Sequence, residues 1–590
     1  MVEFFQDPPR LGNQFLDDRV LRSYVRRTLP AGAFGDVEPG LRRLGARAAT
    51  DLLALADAAE QQPPRHVPYD AWGRRVDRIE TADAWRALDR VAAEEGIVAT
   101  AYERAAHGAL SRVHQLARLY LYHPSSAIYS CPLAMTDGAA RAIERHGGVD
   151  ARLRDAFDHL TSRDPASFWT AGQWMTERTG GSDVSGTSTV ARTAGGGNGD
   201  YRLFGTKWFT SATTSQVAMT LARIEGDSAP GSAGLSLFYV QLRDEAGDLQ
   251  RICVNRLKDK LGTRALPTAE LTLEGTPAIL VGGSGHGVRK IATILNITRL
   301  YNAVCAVAGM RRALALATDF ATRRVAFGRP LAAHPLHAET LAAMAVEHAG
   351  AFHLTFHVGE LLGKEEVGEA SDDELLLLRL LTPVAKLYTG KQVVAVTSEA
   401  LEAFGGAGYI EDTGLPRLLR DAQVLSIWEG TTNVLSLDVL RAVGKGDALR
   451  AFAEAVTRRL DALAHPALRA AAPRVADAGR RIAEYAARVA SDGERQQAGA
   501  RAFAFALART YTAALLLEHA DWAARHDDTA PTTAALRWCA QDLAPLVADS
   551  DAEHRAASSA LLYGTSGSEG HGARLSAVGS RLSGPGEWTG

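Results

Sequence analysis

The chain has few cysteines for its length, and their spacing excludes two common uses of that residue. Only four of the 590 residues are cysteine, namely Cys131, Cys253, Cys305 and Cys539. None belongs to a Cys-x-x-Cys pair, which argues against a disulfide framework and against a zinc ribbon. The sequence therefore favours a reducing compartment, and we expect a cytoplasmic protein.

Long apolar runs and charge of one sign are also lacking. No stretch reaches the roughly 18 uninterrupted apolar residues of a membrane-spanning helix. The amino end, MVEFFQDPPRLGNQF, has no basic region followed by an apolar run. The net charge is only −3, so the totals give no global attraction to nucleic acid or to a membrane surface. We expect a soluble, untargeted protein with no membrane partner.

Three common site motifs are missing as well. The sequence has no G-x-G-x-x-G, no Walker loop and no G-x-S-x-G elbow, which leaves a Rossmann site, a P-loop and a serine hydrolase unsupported. His353 and His357 are four residues apart on a predicted helix, with Glu347 and His348 upstream. Without an H-E-x-x-H pattern or a clear third ligand, we expect no metal site there.

The residue composition and the spacing of apolar residues change along the chain. Residues 1–169 repeat apolar positions at intervals of three and four, which indicates an all-helical domain. Residues 170–287 are rich in β-forming residues, and TSTVARTAGGGNGDYRLFGTKWFTSA predicts two strands joined near Asn198 and Gly199. Residues 288–443 carry four helical stripes, which a four-helix bundle would bury. Another helical region, 444–565, follows, and the Gly- and Ser-rich residues 566–590 are expected to form a flexible tail.

Four short segments combine residue types suited to binding and catalysis. They are WMTERTGGSDVSGTS (174–188), GTKWFTS (205–211), RRVAFGRPL (323–331) and LSIWEGTTNV (425–434). Glycines and hydroxyls let a planar ligand approach the backbone closely, and arginines suit a diphosphate. Taken singly, each has an ordinary explanation: a glycine-rich turn, a strand with a buried tryptophan, a helix end, or a surface acid on a loop. Composition alone favours those explanations.

The order of these segments changes that balance, because together they resemble the acyl-CoA dehydrogenase family. The likeness is greatest to its AidB-like branch, through PYDAWGRRVD (68–77), RLKDKLGTR (256–264) and FGGAGYIEDTGLPRLLRDA (404–422). The resemblance covers nearly all of the chain except the tail. It implies an α+β, mainly α, fold: an N-terminal helical domain, a middle β domain, a four-helix bundle and an extra C-terminal helical region. FAD would lie between the β domain and the bundle.

Glu429 matches the family's catalytic base. Desaturation of a thioester removes a weakly acidic α-proton while a hydride leaves the β-carbon, so a carboxylate and an oxidised flavin must flank one carbon–carbon bond. The neighbouring Trp428 would exclude water and raise the pKa of the acid. The resemblance thus implies an oxidoreductase that acts on CH–CH groups of acyl-CoA, with a separate flavoprotein as electron acceptor.

The resemblance also assigns cofactor ligands. The residues expected to face the isoalloxazine ring are Met175, Thr176, Ser182, Trp208, Thr210 and Ser211. Those expected to run past the flavin and its pyrophosphate are Glu429, Gly430, Thr431 and Asn433. A neighbouring subunit would complete the FAD site with Arg324, Phe327 and the loop glycines Gly405, Gly406 and Gly408. A homo-oligomer, dimer or tetramer, follows from that sharing.

The predicted substrate pocket departs from the ordinary dehydrogenases. It comprises Trp174, Arg299, Trp428 and Arg441. Many family members have an aspartate three residues before the arginine that matches Arg299, where this chain has Asn296, which weakens the prediction of tight CoA binding. Trp428 replaces the usual tyrosine and Trp174 adds a second large ring, so the prediction is a short or branched acyl group.

An alternative function comes from the extra helical region. AidB-like proteins are associated with DNA binding and with protection from alkylation, so the alternative is a DNA-binding flavoprotein with weak dehydrogenase activity. Residues 450–509 contain eleven arginines and six acidic residues, and Arg480, Arg481 and Arg488 are the candidate phosphate contacts on double-stranded DNA. Over residues 444–590 the charges cancel, however. An amphipathic helix pair that covers the bundle explains the pattern equally well. Flavin-dependent oxygenation is a third option, which retention of Glu429 disfavours.

Overall fold

The amino-terminal region is helical apart from one hairpin. The computed structural model describes residues 6–195, 199–547 and 551–563. The helices of this region are α1 (Arg19–Thr28), α2 (Ala31–Arg47), α3 (Asp51–Gln61), α4 (Asp83–Glu94), α5 (Arg104–His107), α6 (Leu110–Tyr122), α7 (Ser130–His146) and α8 (Ala151–Leu160).

The hairpin lies between α3 and α4, where an all-helical domain was predicted. Strands β1 (Arg65–Tyr69) and β2 (Arg75–Glu80) pair antiparallel. The carboxylate of Asp70 accepts hydrogen bonds from the backbone N–H groups of Trp72 and Arg74, at 2.8 and 2.9 Å. Gly73 takes the positive φ of 80° that the turn requires. The local turn chemistry therefore outweighs the helical texture of the flanking sequence.

The middle region is a β domain whose sheet closes on itself. Its strands are β3 (Ala171–Trp174), β4 (Val190–Thr193), β5 (Asp200–Ser211), β6 (Val217–Ile224), β7 (Leu235–Gln241), β8 (Ile252–Leu257) and β9 (Thr268–Val281). They follow the order β3-β6-β4-β5-β9-β7, with β8 also paired to β9 and β7 paired back to β6. The predicted pair of strands is β4 and β5, which run antiparallel with Val190 opposite Phe204. Asn198, in the predicted turn, lies outside the described residues.

A bundle of long helices follows the β domain. Its elements are α9 (Gly287–Arg323), the two-residue strands β10 (Val325–Ala326) and β11 (Arg329–Pro330), α10 (Pro335–Val367), α11 (Asp372–Ala403), α12 (Leu415–Val424) and α13 (Thr432–Gly444). A capping box in which Ser371 and Glu374 each bond the other's backbone N–H starts α11. The four predicted stripes correspond to α9, α10, α11 and α13, so the predicted fold class is confirmed.

The extra C-terminal region packs directly on the bundle. It consists of α14 (Ala448–Asp461), α15 (Pro466–Val489), α16 (Gly493–Ala524), α17 (Ala530–Cys539) and α18 (Ala552–Tyr563). The indole of Trp538 is fully buried against Gly350 of α10, where a Cβ atom would lie 2.3 Å from the ring. Its Nε1 donates to the Arg509 carbonyl of α16 at 3.0 Å. The predicted tail, 566–590, lies outside the described residues.

Two helices in the described ranges have the length and composition to cross a membrane. They are α9 and α16, and 72% and 78% of their most apolar windows are buried inside the protein. Such burial is typical of core helices, and both occupy that position here.

Candidate active site

The Glu429 carboxylate is held in a strained turn between α12 and α13. Glu429 has a φ of 56° and Gly430 a φ of 105°, a backbone region that residues with a side chain rarely adopt. A Cβ atom on Gly430 would also meet the Leu435 side chain at 2.9 Å. Thr431 then caps α13 by accepting from the backbone N–H of Val434. The turn and the close Leu435 side chain together restrict where the carboxylate points.

The carboxylate contacts elements from three regions of the chain. Thr298 of α9 donates its hydroxyl proton to Glu429 Oε2 at 2.6 Å. The amide of Gln173, on β3, interacts with the same carboxylate. Lys386 of α11 and Cys131 of α7 lie close enough to exchange electrostatic effects with it. Glu429 therefore stands where the amino-terminal helices, the β domain and the bundle meet.

This environment moves the acid toward neutrality. Burial raises the pKa of Glu429 above the ordinary carboxyl value. The hydrogen bond from Thr298, the charges of Arg299 and Lys386, and the Gln173 amide act in the opposite direction. A buried carboxylate with a raised pKa that is still held by hydrogen bonds suits a general base.

The ring of Trp428 is fixed beside this acid. Its indole N–H donates to Oδ1 of Asn302, a buried residue of α9. The amide nitrogen of Asn302 donates in turn to the Leu425 carbonyl at 3.0 Å. The half-buried Trp428 thus has a defined orientation and packs against the main hydrophobic core.

The guanidinium of Arg299 is engaged by other groups of the protein. Its Nε donates to the Glu429 carbonyl at 3.3 Å, and its Nη1 pairs with Asp438 at 2.9 Å. Asp438 also pairs with Arg379 at 2.6 Å, and the charge of Arg441 acts on the same carboxylate. Arg299 and Arg441 therefore meet at Asp438 of α13, and Arg299 supports the backbone of the Glu429 turn.

The structure corrects one predicted pocket residue and supplies another. Trp174 is 1% exposed and packs in the core of the β domain with Leu203, Ala218 and Phe238. The prediction that it lines the substrate pocket is wrong, because successive side chains of a strand point to opposite faces. Gln173, one residue earlier on β3, is the residue that reaches Glu429.

Two of the predicted cofactor segments meet through their backbones. The N–H of Trp208, on β5, donates to the Thr176 carbonyl at 3.0 Å. Behind this contact lies a buried ion pair, Lys207 Nζ to Glu177 Oε1 at 2.8 Å. Sequence reasoning missed both charged residues although they stand inside MTER and GTKWFTS.

The side chains of these segments differ in their exposure to solvent. Ser182 is exposed, whereas Met175 and Thr176 are half-buried. Thr210 is buried and donates its proton to the Ala269 carbonyl at 2.7 Å. Ser211 shares a hydrogen bond with Thr268 at 3.0 Å.

Two cationic side chains lie over the ring of Trp208. Lys258 Nζ lies 3.7 Å from the ring centroid and the Arg178 guanidinium carbon lies 5.0 Å from it. Such contacts hold the half-buried indole in one orientation.

The residues around Glu429 fit a bound flavin and thioester. Oε1 of Gln173 is buried without a hydrogen-bond partner, which is unfavourable unless a ligand N–H or O–H occupies the position beside Glu429. Gly181 and Ser182 on one side and Thr431 and Asn433 on the other are exposed and flank the junction. A planar group that bridges the β domain and the bundle would satisfy the orphaned oxygen.

The remaining cofactor candidates lie at the other end of the bundle helices. Arg324 ends α9 and Phe327 follows on the β10–β11 turn, with its ring 95% exposed. Gly405, Gly406 and Gly408 form the turn after α11. The rings of Phe320 and Phe404, 4.7 Å apart, bring these two segments together.

The three arginines proposed to bind DNA are engaged locally. Arg480 pairs with Asp477 and with Glu484, both at 2.5 Å. Arg481 donates to the Ala544 carbonyl at 2.8 Å, and Arg488 lies over the Tyr485 ring. The two acids of α15 therefore both pair with Arg480.

The histidines considered as metal ligands are buried in the bundle. His357 contacts Glu360 through Nδ1 at 3.3 Å and the Tyr511 hydroxyl through Nε2 at 3.1 Å. His353 packs its ring against His519. Within the described ranges, no group of three or more His, Cys, Asp or Glu residues is arranged to hold a metal ion.

Comparison with known families accounts for almost all of the described chain. The matches, in chain order, are the Adaptive response protein AidB N-terminal domain (7–163), the Acyl-CoA dehydrogenase middle domain (172–276), the Acyl-CoA dehydrogenase C-terminal domain (285–444) and the Acyl-CoA dehydrogenase 11 C-terminal domain-like family (447–563). These four matches and the buried acid between domains define an acyl-CoA dehydrogenase.

Two curated relatives and one solved structure extend the match over whole chains. The chain is 46% identical to Acyl-CoA dehydrogenase family member 11 of Caenorhabditis elegans, over 88% of this chain and 86% of that protein. It is 34% identical to Putative acyl-CoA dehydrogenase AidB of Escherichia coli, over 75% and 80%. The crystal structure of C. elegans ACDH-11 in complex with C11-CoA superposes with a TM-score of 0.92 at 42% identity, covering 96% and 97% of the two chains.

The chain therefore belongs to the acyl-CoA dehydrogenase family, in its AidB-like branch. As a member of this family it is an FAD-dependent oxidoreductase that acts on CH–CH groups of acyl-CoA.

Proposed function

We propose that the protein desaturates an acyl-CoA at the α,β bond with Glu429 as the base. The observation that carries this proposal is the buried carboxylate, held by Thr298 at 2.6 Å and flanked by the segments that would bind FAD. Bound FAD would supply the hydride acceptor. Glu429 would take the α-proton, and Thr298 and Gln173 would keep its carboxylate aimed at the α-carbon. Trp428 and the surrounding buried helices would exclude water from that bond.

The acyl chain is the second part of the proposal. The prediction of a short or branched group depended on Trp174 and Trp428 together, and Trp174 lies in the β-domain core. Only Trp428 remains to narrow the pocket, and the C. elegans relative was crystallised with C11-CoA. These observations support a straight chain of medium length. Rates measured from butyryl-CoA and isovaleryl-CoA up to dodecanoyl-CoA test this. A maximum at butyryl-CoA or isovaleryl-CoA would instead support the prediction of a short or branched acyl group.

The base assignment has a direct test. Purified protein is expected to be yellow, and anaerobic addition of the preferred acyl-CoA is expected to bleach the flavin. Glu429→Gln should keep the colour and the substrate-induced spectral shift while the bleaching rate falls by about a thousandfold or more, since it removes the proton acceptor. Glu347→Gln, a buried acid elsewhere in the bundle, is the matched control and should bleach normally. Normal bleaching by Glu429→Gln would remove Glu429 from the base role.

We also propose a homo-oligomer that completes the FAD site. Phe327, Tyr409 and Leu336 are 95%, 88% and 82% exposed in the single chain. Apolar side chains so open to water at the end of one bundle are typical of a surface that another protein covers. They lie in or beside the segments that the family resemblance assigns to a neighbouring subunit, so a second copy of this chain is the proposed occupant.

The DNA-binding alternative has less support than the dehydrogenase. The pairing of Arg480 with two acids neutralises one of the three candidate arginines, and Arg481 and Arg488 make contacts within the protein. Salt-dependent binding of a non-specific duplex, weakened by charge reversal at Arg481 and Arg488, would favour the alternative. Absence of a mobility shift at low salt would exclude it.

The electron acceptor and the compartment are further expectations. Each turnover leaves two electrons on the enzyme, which an electron-transferring flavoprotein would remove.

The free cysteines bear on the compartment. Four of them, Cys131, Cys253, Cys305 and Cys539, are free thiols, which supports a reducing, cytoplasmic location.

A further inference from the structure

Lys386 is an unusual feature of the bundle because its ammonium group is fully buried. The residue lies in the middle of α11, which packs between α9 and α13, and its exposed fraction is 0%. Nζ donates to the Gly430 carbonyl at 2.6 Å. Among the residues that the structure describes, no carboxylate forms a direct ion pair with it. An interior cation without such a partner is costly, so the groups around its ammonium must compensate for the lost hydration.

The contact of Lys386 is with the strained turn that carries the base. Gly430 follows Glu429 directly, and both residues have positive φ. A hydrogen bond to the Gly430 carbonyl restrains the peptide group between Gly430 and Thr431, which joins the Glu429 turn to the capped start of α13. Without that bond, the peptide group could rotate and release the strain.

The charge of Lys386 also acts on the base. Burial lowers the pKa of Lys386 to about 7, and the attraction of Glu429 opposes that shift. Conversely, Lys386 is one of the groups that lower the pKa of Glu429 against the effect of burial. Arg299 is the other cation near Glu429, but its guanidinium is paired with Asp438. Thr298 and Gln173 face the carboxylate as neutral groups, and Cys131 faces it as a thiol whose pKa is raised by burial.

We propose that Lys386 is a positioning residue for the base. Its ammonium fastens the Glu429–Gly430 turn through the Gly430 carbonyl and supplies the unpaired positive charge that keeps the Glu429 carboxylate ionised. This inference rests on the proposed role of Glu429. It adds a buried residue that acts through the base.

Two substitutions separate the two effects. Lys386→Met removes both the charge and the hydrogen bond, whereas Lys386→Gln removes the charge and keeps an N–H donor for the Gly430 carbonyl. Lys386→Arg keeps a cation, and Lys391→Met, on the same helix, is the matched control. All are compared as FAD-loaded full-length protein, with the visible flavin spectrum and the unfolding temperature reporting an intact fold.

The decisive measurement is a pH titration without turnover. An acyl-CoA analogue with sulfur in place of the β-carbon can lose its α-proton but cannot give up a β-hydride. Its enolate beside oxidised flavin gives a long-wavelength absorption band. We expect the midpoint of this band to move to higher pH by about one unit in Lys386→Met and Lys386→Gln, because loss of a nearby positive charge makes proton removal from the site harder. Lys386→Arg should stay closer to the wild type, and Lys391→Met should match it.

The rate of flavin bleaching with a true substrate adds a second readout. Its acidic limb should shift by the same amount in Met and Gln variants, and Lys386→Met alone should also lose about tenfold in the limiting rate because the turn is released. Unchanged midpoints in Lys386→Met and Lys386→Gln, with fold and flavin intact, would overturn the proposal. If Glu429→Gln still bleaches, the base assignment itself fails, which is a different result from unshifted midpoints with an inactive Glu429→Gln.

Discussion

Glu177 and Lys207 form a fully buried ion pair, with Lys207 Nζ 2.8 Å from Glu177 Oε1, directly behind the two segments proposed to bind the flavin. Burial opposes ionisation of the acid. The charge and hydrogen bond of Lys207, with hydrogen bonds from Thr189 and Ser188, outweigh it and lower the pKa of Glu177 to about 2. The pair ties the strand β5 to the turn after β3, and hence Trp208 to Thr176.

We expect Lys207→Met to destabilise the protein by about 3–5 kcal/mol, because it leaves a buried carboxylate without its partner. FAD occupancy, read from the ratio of flavin to protein absorbance, should fall with it. The double variant Glu177→Gln/Lys207→Met should recover much of the loss, which urea unfolding of the wild type and the two variants measures. A double variant no more stable than Lys207→Met would contradict this account.

The same pair predicts a pH dependence. The folded pKa of Glu177, about 2, lies below its unfolded value of 4.5. Its stabilisation is therefore complete above pH 4.5 and is lost as pH falls toward 2. In Glu177→Gln that contribution is absent at every pH. The free-energy difference between wild type and Glu177→Gln should thus shrink from pH 5 to pH 3, as followed by urea unfolding.

Removal of the Thr298 hydroxyl should make Glu429 a weaker acid. Thr298→Val keeps the shape of the side chain but deletes the bond to Oε2, one of the interactions that lower the pKa of Glu429. The acidic limb of the flavin-bleaching profile should move up by about one unit, since a hydrogen bond to a charged group contributes about 1.5–3 kcal/mol. Thr322→Val, in the last turn of the same helix, is the control and should leave the profile in place. An unmoved limb in Thr298→Val would show that this bond does not set the pKa.

Lys386 should make folding stability rise with pH above neutrality. Its folded pKa of about 7 is below the unfolded value of 10.5, so the unfolded chain holds one more proton between those values. Stability from this group is lowest below pH 7 and increases up to about pH 10. The slope should be smaller in Lys386→Met, measured by urea unfolding at pH 6.5, 8 and 9.5. Equal slopes in the two proteins would show that the ammonium is not desolvated in solution.

The exposed Phe327 predicts an interface between copies of the chain. Phe327→Asp should weaken self-association by about a hundredfold or more, because it places a charge where an apolar side chain would be buried. Light scattering should report a smaller particle, and FAD should dissociate more readily. Trp72→Ser, which removes an equally open aromatic side chain from the β1–β2 hairpin, should change neither measurement. A monomeric wild type would end the proposal.

The order of the sequence motifs pointed to Glu429 and the flanking segments through their resemblance to the family, although each motif taken singly favoured an ordinary explanation. The motifs did not show which of the two residues, Gln173 or Trp174, faces Glu429. A shift of one residue moves a side chain to the opposite face of a strand, and the segment contains nothing that fixes its register. Pairing of β3 with β6 decides it.

Lys386 and the β1–β2 hairpin illustrate the other limits. Lys386 stands in an ordinary helical stretch, 44 residues from the carbonyl that it contacts, so no local pattern marks it. The hairpin was not predicted because helical sequence flanks it on both sides, and the residues from Asp70 to Gly73 were not recognised as a turn. The charge count over residues 450–509 had the opposite weakness. It was correct and included the acids, but a total does not show that Asp477 and Glu484 both pair with Arg480 within one turn of helix.

The indole of Trp538 fills a slot that only a glycine at position 350 leaves open, so the final helices complete the interior of the bundle. Truncation of the chain after α13 would remove Trp538 and expose the apolar surface of α10 around Gly350 to water. A loss of activity on truncation would therefore reflect a destabilised bundle and would not assign a separate function to the C-terminal helices. Point substitutions in the intact chain avoid this problem.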